Sequence, residues 1–167
     1  MVWVGAKGNI PQSKCPTDGS CAYSNTQITP VISEKPYLHM DEGSGKFFLM
    51  VPPLEYYKTG ASKYGVHDKK VGFENVYVTT PSDSSSLINS KIQHGLHILF
   101  TPGIYNLDGA IRVSNNNIVL LGIGFPTLIS GNGEPCIIVN DNINGVRVSA
   151  LLLQAGKLRS TSLLQWG

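Results

Sequence analysis

Charge is in short supply in this chain. Only 14% of its 167 residues are Asp, Glu, Lys or Arg, and the 13 basic residues are scattered without a basic run. A net charge of +2 with no basic stripe leaves no electrostatic footprint for a phosphate backbone, which argues against nucleic acid as a partner. Long hydrophobic runs are also missing: nothing approaches the roughly 20 apolar residues that a membrane-crossing helix needs, so no membrane partner is signalled. The opening "MVWVGAKGNIP" has neither a charged n-region nor an apolar h-region, so this chain shows no signal peptide. A piece cut from a longer secreted protein would look the same.

Cysteine is scarce, at three residues. Cys15 and Cys21 flank "PTDGS" and form a candidate disulfide loop around an Asp-Gly turn, a bond that would imply an oxidising compartment. Cys136 begins an apolar run and reads as a buried free thiol. Three thiols at these spacings do not make a metal site, and no cofactor is called for. The glycines of "GIG" (122–124) follow a strand, but Pro126 and the β-like "TLIS" block the helix that a dinucleotide site requires. His94 and His97 close a helix and open a strand, so they share no ligating face, and His94 suits a helix C-terminal cap. His67-Asp68 has no nucleophile beside it, and no Gly-x-Ser-x-Gly elbow occurs.

What the chain does have is Gly (18) and Pro (10), which with few charges points to an all-β fold. Residues 1–34 are turn-rich and read as a tail or linker. In residues 35–80, Tyr37–Met40 and Lys46–Val51 form a hairpin around "DEGSG", 53–72 is a polar loop, and "FENVYVTT" (73–80) is a strand. Phe47 and Phe48 are expected to fill the hairpin's core. "PSDSSSLINSKIQHG" is the one good helix, with Ser82 or Asp83 as its cap, Ile88 and Ile92 on one face, and Gly95 just past its end. "LHILF" follows as a strand.

From residue 81 to residue 167 a repeat emerges. Ile111-Arg112-Val113, Ile137-Ile138-Val139 and Leu163-Leu164-Gln165 begin 26 residues apart in each case. Independently, "NNIVLLG" from Asn116 aligns with "NGVRVSA" from Asn144 at an offset of 28, placing Ile118 over Val146 and Leu120 over Val148. Short strands and turns repeating at this length mark a solenoid, whose coils bury apolar side chains only by stacking. Asn116 and Asn144 are expected to tolerate left-handed backbone and to pair from coil to coil. The reading is a parallel β-helix capped by the short helix. An antiparallel sandwich also spaces strands closely, but no tight hairpin signal lies between residues 111 and 154.

Glycoside cleavage commonly needs two carboxylates. Those on the predicted coils are Asp108, Glu134 and Asp141, each in a turn cluster where Asp and Glu also serve turn geometry. Glu134 and Asp141 are the candidate catalytic residues, with no spacing that makes them converge. Aromatic residues at Tyr37, Tyr56, Tyr57 and Tyr64 could stack on sugar rings.

"EKPYLHMDEGSGKFFLMVP", "LFTPGIYNLDGAIRV", "IVLLGIGFPTLIS" and "INGVRVSALLLQAG…SLLQWG" together resemble a stretch of large secreted microbial proteins of the pectate-lyase-like superfamily. Those proteins carry tandem right-handed parallel β-helices, similar to the fungal exo-β-1,3-glucanases; some bear names such as adenylyl cyclase or coagulation factor 5/8 type protein, for which these residues hold no matching chemistry. The resemblance covers the whole chain and is most specific from Leu99 to Gly156. It implies that residues 1–34 leave a preceding domain, that 35–80 connect, and that 81–167 are the opening coils of a second β-helix. It also implies a secreted, carbohydrate-active parent, a glycoside hydrolase or a polysaccharide lyase, with polysaccharide as partner and catalytic residues beyond Gly167. The alternative is a non-catalytic β-helix for glycan binding, adhesion or surface display. The last coil, with Leu163, Leu164 and Trp166, would invite self-association.

Overall fold

The computed structural model describes residues 2–9, 24–60, 65 and 67–167. Before the helix, the strands in chain order are β1 (Val2–Val4), β2 (Ser24–Thr26), β3 (Thr29–Ile32), β4 (Tyr37–Met40), β5 (Phe47–Val51), β6 (Glu55–Lys58), β7 (Lys69–Gly72) and β8 (Val76–Thr79). The chain divides into two compact units, one of residues 1–35 and 51–69, the other of residues 36–50 and 70–167.

In the first unit β1 pairs with β2 in parallel and β3 with β6 antiparallel. The turn-rich stretch 1–34 therefore carries strands, and the polar stretch 53–72 contains β6 and β7. These strands are three or four residues long, and Thr29 finds its partner only at Lys58, so no local periodicity announces them. Cys15 and Cys21 lie outside the described residues.

The second unit opens with the expected hairpin. Tyr37 pairs with Met50 and Met40 with Phe47, and Asp41 closes the turn by accepting from the Ser44 backbone N–H and hydroxyl, both at 2.8 Å. The hairpin's core differs from expectation. Phe47 is 51% exposed, Leu49 and Met50 are the buried pair, and Phe48 lies under the Lys70 ammonium, 3.8 Å from its ring centre. Residues 73–75 form a 3-10 turn, and only 76–79 are extended.

Helix α1 (Ser85–Gln93) is capped by Ser84, whose hydroxyl accepts from Leu87 N–H at 3.2 Å. The expected caps are engaged elsewhere: Asp83 accepts from Tyr77 Oη (2.9 Å) and Thr80 N–H (3.1 Å), and Ser82 bonds the Thr80 hydroxyl. Ile88 and Ile92 are buried, His94 caps the C-terminus with Nδ1 2.7 Å from the Ser90 carbonyl, and Gly95 takes φ +83°.

Three coils follow, each of three strands. The first holds β9 (His97–Phe100), β10 (Ile104–Leu107) and β11 (Ile111–Val113). The second holds β12 (Val119–Gly122), β13 (Thr127–Ser130) and β14 (Ile137–Val139). The third holds β15 (Arg147–Ser149), β16 (Leu152–Gln154) and β17 (Leu164–Trp166). Each strand pairs in parallel with its counterpart one coil away, giving three sheets, β8-β9-β12-β15, β10-β13-β16 and β11-β14-β17. This is a parallel β-helix. Ile111 stands on Ile137 and Leu120 on Val148, as the two offsets demand. The second step slips by one: Ile137 pairs with Leu164, while the Leu163 carbonyl accepts from both Cys136 and Ile137 N–H. The Asn contact is also real but redistributed. Asn144 N–H donates to Asn116 Oδ1 at 2.8 Å, and the left-handed residues are the neighbours Asn117 and Asn142, both at φ 62°.

Inside the coils Ile98, Leu120, Leu128, Ile111, Ile137 and Val139 form one dry stack that ends on Ile88 and Ile92 of the helix. Phe100 meets Tyr105 edge-on at 5.4 Å, and the buried Tyr105 hydroxyl is satisfied by the Thr79 carbonyl at 3.0 Å. Cys136 is a buried free thiol, its Sγ 3.3 Å from the Leu128 carbonyl, and burial pushes its pKa up.

The helix also completes the open edge of β11. Asn89 donates to the Ala110 carbonyl (2.9 Å) and accepts from Arg112 N–H (2.7 Å), standing in for the strand that a previous coil would supply. Asn89→Leu strands both backbone groups at a sheet edge. We expect it to lower the unfolding free energy by about 1–3 kcal/mol, read from urea denaturation with an unchanged m-value.

Candidate functional site

The candidate carboxylates can now be placed. Asp108 and Glu134 line one shallow cleft of 240 Å³, together with Ser85, Asn89 and Arg112. Their neighbours explain why. Asp108 accepts from Ser85 N–H at 2.9 Å, and Ser85 in turn donates its hydroxyl to the Gly109 carbonyl at 2.7 Å. Glu134 accepts from Asn132 Nδ2 (2.8 Å), Ala110 N–H (3.3 Å) and Arg112 Nη2 (2.7 Å). Asp108 thus ties the first coil to the helix, and Glu134 ties the second coil to the first.

These bonds settle the electrostatics of the cleft. The Asn132 amide, then the Ala110 N–H and the Arg112 guanidinium, hold the Glu134 carboxyl below the usual range. The Ser85 backbone and hydroxyl do the same for Asp108. Hydrolysis needs one carboxyl kept protonated to donate to the leaving oxygen. Here both acids are pushed the other way, and each is already occupied. Asp141 lies in another turn, beside Gly167, and does not join this cleft. Among the described residues no three His, Cys, Asp or Glu side chains come together to hold a metal.

The described histidines and aromatics stand apart from this cleft. His97 is buried and accepts from Val119 N–H through Nδ1 at 3.1 Å, a structural role in the sheet. Tyr56 and Tyr57 are exposed, Tyr37 is half-buried, and Tyr64 lies outside the described residues.

A second concavity went unread in the sequence. It is a groove of 440 Å³ across the turn side of β10, β13 and β16, lined by Asn106, Ile129, Ser130, Gly131, Gln154, Ala155, Gly156 and Lys157. Parallel register puts Asn106, Ile129 and Gln154 in one row, one residue per coil. At its rim the turns come so close to the coil below that a Cβ on Gly131 would overlap the Leu107 carbonyl, and one on Gly156 the Ser130 carbonyl. Only glycine fits at either place. The signal was present: "YNLDG", "LISG" and "LLQAG" recur at 23- and 25-residue steps, each with an outward side chain just before the glycine turn.

Comparison with known proteins gives a consistent result. The family model described as the LAM55 pectate lyase-like domain matches residues 76–167. An exo-β-1,3-glucanase of Streptomyces sp. (strain SirexAA-E / ActE) is 34% identical over 145 residues, covering 87% of this chain and 24% of that protein. The structure of sacteLam55A from Streptomyces sp. SirexAA-E superposes with a TM-score of 0.86 at 32% identity, over 100% of this chain and 30% of that one. A variant of sacteLam55A in complex with glucose gives 0.87 at 33% identity, over 100% and 29%. The chain spans about a quarter of the length of the curated relative it matches.

Glu134 generates a prediction with a definite sign. A carboxyl whose folded pKa is depressed stabilises the fold above its unfolded value, and that contribution fades as pH falls through the folded value. Its side chain is half exposed to solvent, so the effect is modest, about 1 kcal/mol or less. Glu134→Gln should lower the melting temperature at pH 7, and the gap to the unchanged protein should close as the pH drops below the carboxylate range.

Proposed function

The chain belongs to the LAM55 pectate lyase-like domain family, and from that premise we propose that it is one segment of a secreted glycoside hydrolase acting on β-1,3-glucan. The observation that carries this reading is the combined match: family, glucanase relative and superposable coils agree over the same residues. In this reading residues 1–34 leave a preceding domain, 35–80 connect, and 81–167 begin a β-helix. The segment contributes scaffold and surface rather than the reacting acids. Asp108 and Glu134 support that division, because Asp108 is bonded to the helix and Glu134 to the first coil, and these bonds hold both carboxyls below the usual range.

A secreted location suits this reading, since a polymeric glucan taken as food is met outside the cell. Cleavage by lyase chemistry is the weaker reading. The relative that matches over 145 residues is an exo-β-1,3-glucanase rather than a lyase.

The test compares two proteins on two substrates. Incubated with β-1,3-glucan, the 167-residue chain should release no reducing sugar, and the longer protein that contains it should release soluble sugar without unsaturated ends. Unsaturated products from polygalacturonate would instead make it a lyase. A longer protein inert on both would leave the display reading standing. Turnover by the short chain that is lost in Glu134→Gln or Asp141→Asn would put the active site on these coils.

A further inference from the structure

We propose that the groove on the β10-β13-β16 face is a binding subsite for a run of neutral β-linked glucose units. The proposal rests on the glucan reading above and adds the place where the chain is held.

Asn or Gln stacked on its own kind passes a hydrogen bond from coil to coil, which satisfies its amide. Here the row reads Asn106, Ile129, Gln154, so the residue one coil from each amide is an isoleucine. On the side where they face each other, across Ile129, neither amide meets a ladder partner, and neither side chain takes part in a hydrogen bond within the described structure. Both face outward and are exposed. Each offers two donors and an acceptor, the mixed set that sugar hydroxyls require.

The spacing is also right. Adjacent parallel strands lie about 4.8 Å apart, so the two amides are separated by roughly 9.6 Å, about the span of a disaccharide. Ile129 between them presents an apolar surface for the C–H face of a ring. The glycine turns at 131 and 156 leave the rim without side chains, so a chain can lie along the row unobstructed.

Charge selects among glycans. No carboxylate lines the groove, and Lys157 is its one cation among the lining residues. A uronic-acid polymer carries a charge on every unit and would meet one lysine for several carboxylates. A neutral glucan meets amides, backbone and an aliphatic face, which is what the groove contains.

The experiment titrates the 167-residue chain with a β-1,3-linked glucose hexasaccharide and, separately, with an oligogalacturonate, by calorimetry. We expect the glucan to bind and Asn106→Ala/Gln154→Ala to weaken it about tenfold, with an unchanged melting temperature. Asp141→Asn, in a different turn, should leave affinity as it was. Should the double variant lower the melting temperature, Gln154→Glu alone provides the same readout. No glucan binding, or binding that ignores these substitutions, overturns the groove. Preference for oligogalacturonate overturns both the groove's neutral ligand and the glucan reading. Cleavage of glucan by the longer protein with no binding to this chain would remove the groove alone.

Discussion

Every feature of this fold depends on vertical register. No coil has a core of its own; its inward side chains are covered by the coil above and the coil below. Ile98, Leu120 and Val148 stand in one column, and so do Ile111, Ile137 and Leu164. The gradient of burial along them is the signature of that dependence. Ile111 and Ile137 are wholly buried, while Leu164, with no layer above it among the described residues, is 40% exposed. Because the ladder bonds also run between coils, a slip of one residue would turn every inward side chain outward and misplace the backbone pairs together.

The same constraint explains the chemistry of the turns. A stack needs a first layer, and the segment from β8 through α1 supplies much of it: β8 pairs with β9, Asn89 completes the edge of β11, and Ser85 bonds Gly109 in the turn before it. Asp108 and Glu134 repeat one device at successive levels, each reaching down to a backbone N–H of the layer beneath. Acids that look catalytic in a list of residues are therefore fasteners in space. Their depressed pKa values are a consequence of the fastening. What the register leaves free is the outer face, where alternate positions of each strand carry no packing duty and can be shaped for a ligand.

Legibility followed the register as well. The column through Ile111 and Ile137 and the Asn116–Asn144 contact could be read from the sequence, because similar short motifs recur there at offsets of 26 and 28. The next step could not, since Ile137 to Leu164 is an offset of 27 where Ile111 to Ile137 is 26. Phe47 is hydrophobic yet half exposed, because burial in that strand falls on Leu49 and Met50, one on each face. Ser84 was overlooked as a cap because two better-placed acceptors in the sequence, Ser82 and Asp83, are used by Thr80 and Tyr77. The row of Asn106, Ile129 and Gln154 is invisible until strands 23 and 25 residues apart are laid side by side. Taken singly, those three residues are ordinary.

The claim beneath all of this is that β14 and β17 stack in parallel at the shifted register, with Ile138 beside Gln165. Ile138→Cys combined with Gln165→Cys tests it directly, by mild oxidation and mass mapping of the bond formed. Neighbouring parallel strands bring Cα atoms to about 4.8 Å, inside the range a disulfide accepts. The stacked account predicts a bond between positions 138 and 165 that forms rapidly and leaves the protein folded. A bond that forms only when the second cysteine is moved to position 164, or forms at neither place, would contradict it.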